Sequence, residues 1–278
     1  MSRPGNTTRI TDSLGAQSDD STEVRSAHGQ PRPSGLEIDR MPSAAERTRT
    51  LVQSTCSAVL IIPGLDGAKP YQLMPDTRSV GPDGEVFLAF PADSPAVRAA
   101  AHAQHDELNA VLEITDVAPV SVPHRIRGRA WLSGWLTRTP GGAEPGRMTL
   151  RLEVGEACVD DLWGAESVEP EDFATAAADP LVEHEAELLQ HLHSAHSAEV
   201  QSLGGLLGER AMGSSEAGTA AGTAAGAVAV PVALDRFGLR VRFTGVRCFD
   251  ARFDFPEPVR NVNELRYAMH TLFDAAAG

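Results

Sequence analysis

The segment His124-Arg125-Ile126-Arg127-Gly128-Arg129 is the densest basic patch in the chain, an imidazole followed by guanidiniums at every second position. Alternate residues of a strand share a face, so Arg125, Arg127 and Arg129 would present three forked cations to one side, a ready site for carboxylate or phosphate. The same arginines have a plainer use, pairing with the chain's many carboxylates on a solvated surface. His124, just before that strand, could supply a metal donor or a proton carrier. Other imidazoles gather at His184, His191, His193 and His196, and His102, His105 and His270 stand apart. His196 falls on an apolar stripe, where it either offers a donor into a cleft or satisfies itself on a backbone carbonyl inside a core.

Several chemistries lack their residues. His184-Glu185 is followed by Ala-Glu-Leu, so the two-histidine zinc motif of a metalloprotease is missing. No Gly-x-Ser-x-Gly elbow prepares a serine nucleophile. Cys56, Cys158 and Cys248 are far apart and odd in number, which supports neither a disulfide framework nor a cysteine zinc site. The net charge of −14 repels phosphate backbones, so nucleic acid is not an expected partner. No run approaches the roughly 20 apolar residues of a membrane span, and polar residues occupy the place of a secretory h-region, so a cytoplasmic location is expected.

The elements that must position these side chains follow from patterning. With 278 residues and 42% hydrophobic content, the chain can form two modest units. Residues 1–40, rich in Ser, Gly, Pro and charge, read as a disordered tail. Ser43 is placed to cap a helix reaching Val52. Runs at 57–62, 85–90, 108–114, 126–136 and 148–154 read as strands, broken by a short helix over 94–105. Met148, Leu150, Leu152 and Val154 alternate with Thr149, Arg151 and Glu153, the pattern of a sheet with one wet face. Together these predict a small barrel over 41–160, followed by an acidic connection over 161–180.

A long helix is predicted over 181–210, with Leu188, Leu192, His196, Val200, Leu203 and Leu207 as its stripe. The Gly, Ala, Ser and Thr tract over 213–226 reads as a flexible insertion. Beyond it come a strand over 228–234, a turn at Asp235-Arg236-Phe237-Gly238 in which the glycine would supply a positive φ, and two further strands. In these, Arg240 and Arg242, then Asp250, Arg252 and Asp254, are the polar positions. Asn261, three residues before Glu264, starts a last helix that presents Leu265, Met269, Leu272 and Phe273 to the sheet. The chain from 181 to 278 is thus a small α/β domain of helix, three antiparallel strands and helix.

The segments Ala233-Leu-Asp-Arg-Phe-Gly-Leu-Arg-Val, Phe253-Asp-Phe-Pro-Glu-Pro-Val259 and Asn263-Glu-Leu-Arg266 resemble the small domain that follows the barrel in HugZ-type haem-utilisation proteins and in the glutamyl-tRNA reductase binding protein. The first half is similar to the flavin-reductase-like or pyridoxamine-phosphate-oxidase-like split β-barrel. The resemblance implies an α+β protein, a homodimer with its ligand at the interface, and haem as that ligand, in haem degradation or homeostasis. His124, His196 and His270 are then the alternative iron ligands, and Arg127 and Arg129 the partners of the propionates. The family's iron histidine lies in a C-terminal segment, whereas His270 falls inside the last helix. Where relatives carry Asn-Ala-Asp-His in the long helix, this chain has His193-Ser194-Ala195-His196. Two other roles are compatible with the resemblance. One is a non-enzymatic regulator that binds a tetrapyrrole-synthesis enzyme such as glutamyl-tRNA reductase. The other is an FMN-dependent oxidoreductase, with Lys69, Arg78 and Ser79 near the phosphate.

Overall fold

A computed structural model describes residues 40–65, 67–103, 108–139, 145–210, 227–245 and 248–278. The expected tail before residue 40, the insertion over 213–226 and His105 lie outside these residues. The first helix, α1 (Ala44–Gln53), opens on a reciprocal capping box. Glu46 N donates to Ser43 Oγ at 3.2 Å, and Ser43 N donates to Glu46 Oε2 at 2.9 Å.

The strands that follow are β1 (Ser57–Ile61), β2 (Thr77–Val80), β3 (Val86–Pro91), β4 (Leu108–Val117), β5 (Ile126–Arg138), β6 (Arg147–Asp161) and β7 (Gly164–Val168), with α2 (Pro95–His102) after β3. They form one antiparallel sheet in the order β1-β4-β5-β6-β3-β2, with β7 on β6, curled as a half-barrel. Its inner face buries Leu60, Leu88, Phe90, Leu112, Ile114, Leu132 and Leu150 completely. The alternation in β6 holds through Leu152 and then changes parity, so that Ala157 and Val159 are the buried positions. A register shift at Ser133/Gly134 causes this, because an extra residue on one strand exchanges inward and outward positions. Gly134 is obligatory there, since a Cβ would lie 1.8 Å from Glu153 O.

The stretch over 161–180 carries more structure than its composition suggests. It holds β7 and then α3 (Pro170–Thr175), whose Phe173 is fully buried in the first core.

The expected long helix is three short ones, α4 (Glu185–Ala195), α5 (Ser197–Ser202) and α6 (Gly204–Arg210). The chain leaves helical geometry at His196 (φ −125°, ψ 28°). Ser194 Oγ donates to His191 O at 3.3 Å and Ser202 Oγ to Glu199 O at 2.7 Å, local bonds of the kind that compete with helical backbone, and two glycines follow Leu203. Then come β8 (Val228–Asp235), β9 (Gly238–Thr244), β10 (Cys248–Asp254) and the last helix, α7 (Val262–Ala277), capped by Asn261. The three strands are antiparallel in the order β10-β9-β8. Gly238 does not adopt the positive φ expected of it. Its need is space, since a Cβ would meet Phe253 O at 2.4 Å.

A second core gathers Leu189, Leu192 and Val200 with Val241, Phe243, Phe253 and Leu265, and also Ala118, Val120 and Val122 from the β4–β5 connection. The other face of the small sheet is not wet. Arg240, Arg242 and Arg252 are only 2%, 1% and 4% exposed, because this face closes on the half-barrel. Trp163, from the β6–β7 turn, lies 4.7 Å from the Arg240 guanidinium and 4.5 Å from that of Arg252. Arg252 also pairs with Asp235 at 2.7 Å, and Arg242 with Asp250 at 2.5 Å. Arg242 Nη1 donates to Pro123 O and His124 O, both at 2.8 Å. The two cores therefore meet at a polar, ion-paired seam. Among the described residues no helix is long and apolar enough to cross a membrane.

Candidate functional site

Three histidines line one groove on the small unit. Its first wall is α4 and α5, which contribute Leu188, His191, Leu192, His196 and Glu199. Its second is α7, whose residues at three- and four-residue spacing (Val262, Leu265, Arg266, Met269, His270, Phe273 and Asp274) share the facing side. The groove encloses about 510 Å³, within the usual range of small-molecule and cofactor sites.

The break between α4 and α5 places the His196 ring. It meets His191 edge-on at 5.1 Å between centroids and 74°, and it faces the Phe273 ring of the opposite wall at 6.3 Å and 26°. His196 Nδ1 lies 3.4 Å from Glu199 Oε1. Bonds from its own backbone and from His196 hold the Glu199 carboxyl below the usual glutamate range. Arg266 is an exposed cation on the rim, and Glu199 and Asp274 supply rim carboxylates.

Of the residues expected at a site, the structure brings His196 and His270 together and leaves His124, Arg127 and Arg129 elsewhere. His124 is exposed in the β4–β5 connection with a left-handed backbone (φ 55°), outside the groove lining. Arg125, Arg127 and Arg129 do not form a free cationic face. Arg125 Nη2 donates to Ala118 O at 3.0 Å. Arg127 is buried in the seam, where Nη2 meets Asp116 Oδ1 at 2.7 Å and Nη1 meets Glu185 Oε1 at 2.6 Å and Val232 O at 2.9 Å. Burial alone would lower its pKa, and the Asp116 and Glu185 charges overcome this and raise it. Arg127 is therefore engaged by protein carboxylates, though in a buried seam and not on the solvated surface expected of it. Arg129, half-buried opposite Asp160, keeps an Nε without a hydrogen-bond partner. Of the residues expected near a flavin phosphate, Arg78 closes the end of α1, its Nε donating to Val52 O and its Nη2 to Ser54 O, both at 2.7 Å.

Sequence reasoning missed Arg266, Glu199 and the pairing of the two walls. The spacing of Arg266, His270 and Phe273 along one helix face was the available signal. Nothing local, however, says that α7 faces the α4–α5 break.

Among the described residues no cluster of three or more His, Cys, Asp or Glu side chains is arranged to hold a bare metal ion. The groove has instead what a flat iron macrocycle requires of a protein: apolar walls, imidazoles to reach the metal, and a cation for a carboxylate arm.

Half-barrel and appended sheet with its helix together define the class of the fold, a split β-barrel followed by a small α/β domain. The chain is similar in structure to a haem-binding protein from Mycobacterium smegmatis, with a TM-score of 0.54 and 22% identity over 86% of this chain and 99% of that one. It also aligns with a protein of unknown function from Agrobacterium tumefaciens, with a TM-score of 0.36 and 15% identity over 84% of this chain and 98% of that one. No family model matches the chain, and no curated protein matches it significantly.

Proposed function

We propose that this protein binds haem in the groove between α4–α5 and α7 and acts in haem homeostasis. The observation that carries the reading is the convergence of His191, His196 and His270 on one largely apolar groove of about 510 Å³. An axial imidazole, a hydrophobic slot and a propionate cation are the protein's whole contribution to a simple haem site. The haem-binding Mycobacterium smegmatis protein of the same fold supports it. When bound, haem supplies an iron centre. The chain's own part is to present Nε2 or Nδ1 of a histidine, to shield the ring faces with Leu188, Leu192 and Phe273, and to meet a carboxylate arm with Arg266.

The test is an absorbance titration of the purified protein with hemin. A saturable Soret band is expected, abolished in the triple variant His191→Ala/His196→Ala/His270→Ala and retained in His124→Ala. A flat wild-type titration, or loss of the band in His124→Ala alone, refutes the assignment.

A further inference from the structure

The outer face of the half-barrel sheet carries a second pocket, far in character from the groove. Cross-strand partners share a face, so Asn109, Trp135 and Glu153 form one row of side chains, and Val111, Ser133 and Glu156 form the next. Trp135 is 45% exposed there. Its six-membered ring is seated on bare backbone. Gly155 is the residue that the β5–β6 register shift leaves unpaired, and a Cβ on it would stand 3.1 Å from Trp135 Cζ3 and 3.7 Å from Cη2. Gly134 on the facing strand is bare as well, and a pocket of about 290 Å³ remains beside the indole, with Pro63, Val111, Ser133 and Glu156 in its lining. A bulge used in this way aims a side chain that a regular ladder would not.

We propose that this pocket binds a small organic cation, an alkylated ammonium group held between the Trp135 indole and the Glu156 carboxylate. Local charge favours that class. Among the described residues, Glu156 and Glu113 of the same face form no ion pair, and Glu153, directly opposite Trp135, meets only Arg151 in an exposed pair at 3.6 Å. Such a pair is weak and leaves its carboxylate free to compete for another cation. Trp135 and Glu156 are diagonal neighbours across β5 and β6. Diagonal neighbours stand about 7–8 Å apart, so one ammonium can lie within about 6 Å of the ring centroid and still reach the carboxylate. An alkylated ion suits the lining better than a bare metal. No cluster of three or more His, Cys, Asp or Glu side chains is present among the described residues, while Pro63 and Val111 offer apolar surface to methyl groups. A bulky, weakly hydrated cation also gives up least on leaving water for the face of an indole.

The test follows the indole N–H signals of the full-length protein by heteronuclear NMR. The chain has three tryptophans, Trp131, Trp135 and Trp163. Choline should move one signal, the one missing from Trp135→Phe, with a dissociation constant on the order of millimolar. Glu156→Gln should weaken binding about fivefold. The neutral isostere of choline, a dimethylbutanol with carbon in place of the ammonium nitrogen, should move nothing. Trp131 and Trp163 signals at their wild-type positions report that both variants are folded. Equal movement by the isostere reduces the pocket to an apolar patch and overturns the proposal. So does a flat choline titration, a shift confined to Trp131 or Trp163, or an unchanged affinity in Glu156→Gln. Sedimentation velocity tests the other occupant. A dimer that dissociates on Trp135→Phe would make this face an interface between copies, and the cation site would be refuted.

Discussion

Arg127 separates a seam role from a ligand role, and the structure sets the size of the effect. Its side chain is 8% exposed between Asp116 at 12% and Glu185 at 21%. Replacing it with methionine keeps much of the volume and leaves two carboxylates facing each other with no cation. Breaking a buried pair by removing one partner costs about 3–5 kcal/mol, chiefly through the uncompensated charge left behind. Arg127→Met should therefore lose about that much in urea unfolding at pH 7. The triple variant Asp116→Asn/Arg127→Met/Glu185→Gln, without stranded charge, should recover part of the loss. Hemin binding to folded Arg127→Met should persist. A variant of wild-type stability that no longer binds hemin would refute the argument and return Arg127 to a propionate role.

Two more outcomes follow from buried groups. Burial pushes the Asp179 carboxyl up to about 6 from an ordinary 3.8, although it accepts from Leu181 N and Arg236 N, each at 2.9 Å. The folded protein then holds this proton more tightly than the unfolded chain, so Asp179 makes stability fall as pH rises from about 4 to 6, by on the order of 2–3 kcal/mol. Urea unfolding across that range should show the slope, and Asp179→Asn should flatten it; an unchanged slope in the variant refutes the assignment. Burial, and then the Asp116 carboxylate 3.2 Å from Sγ, push the Cys56 thiol up to about 12. Iodoacetamide on the native protein at pH 8 should therefore spare Cys56 and modify the exposed Cys248 first. Peptide mass spectrometry decides this, and Cys56 labelled ahead of Cys248 contradicts it.

Most of the fold was legible because its signals are local. The Ser43 and Asn261 caps, the alternation in β6 and the three closing strands are written into residues a few positions apart. What failed was non-local. The three arginines of β9 and β10 alternate as on any solvated strand, and only the half-barrel, arriving with Trp163 between two of them, turns that face into a buried seam. The basic patch misled for the same reason. Its spacing showed three cations on one strand, while the carboxylates that engage Arg127 come from positions 116 and 185. His196 was placed on an apolar stripe by assuming an unbroken helix. The serines and glycines that break it were visible, but their effect on the direction of the imidazole was not.

Helix α4 joins the seam to the groove, which bears on how the two units cooperate. Its first residue, Glu185, is held by Arg127 of the half-barrel and accepts from Leu234 N at 3.1 Å. Its later turns carry Leu188, His191 and Leu192 into the groove. The eleven residues of α4 thus join a side chain held in the seam to side chains that line the groove. Buried ion pairs are poor sources of net stability but are demanding about geometry, so the Arg127–Glu185 pair fixes the register in which α4 docks on the half-barrel.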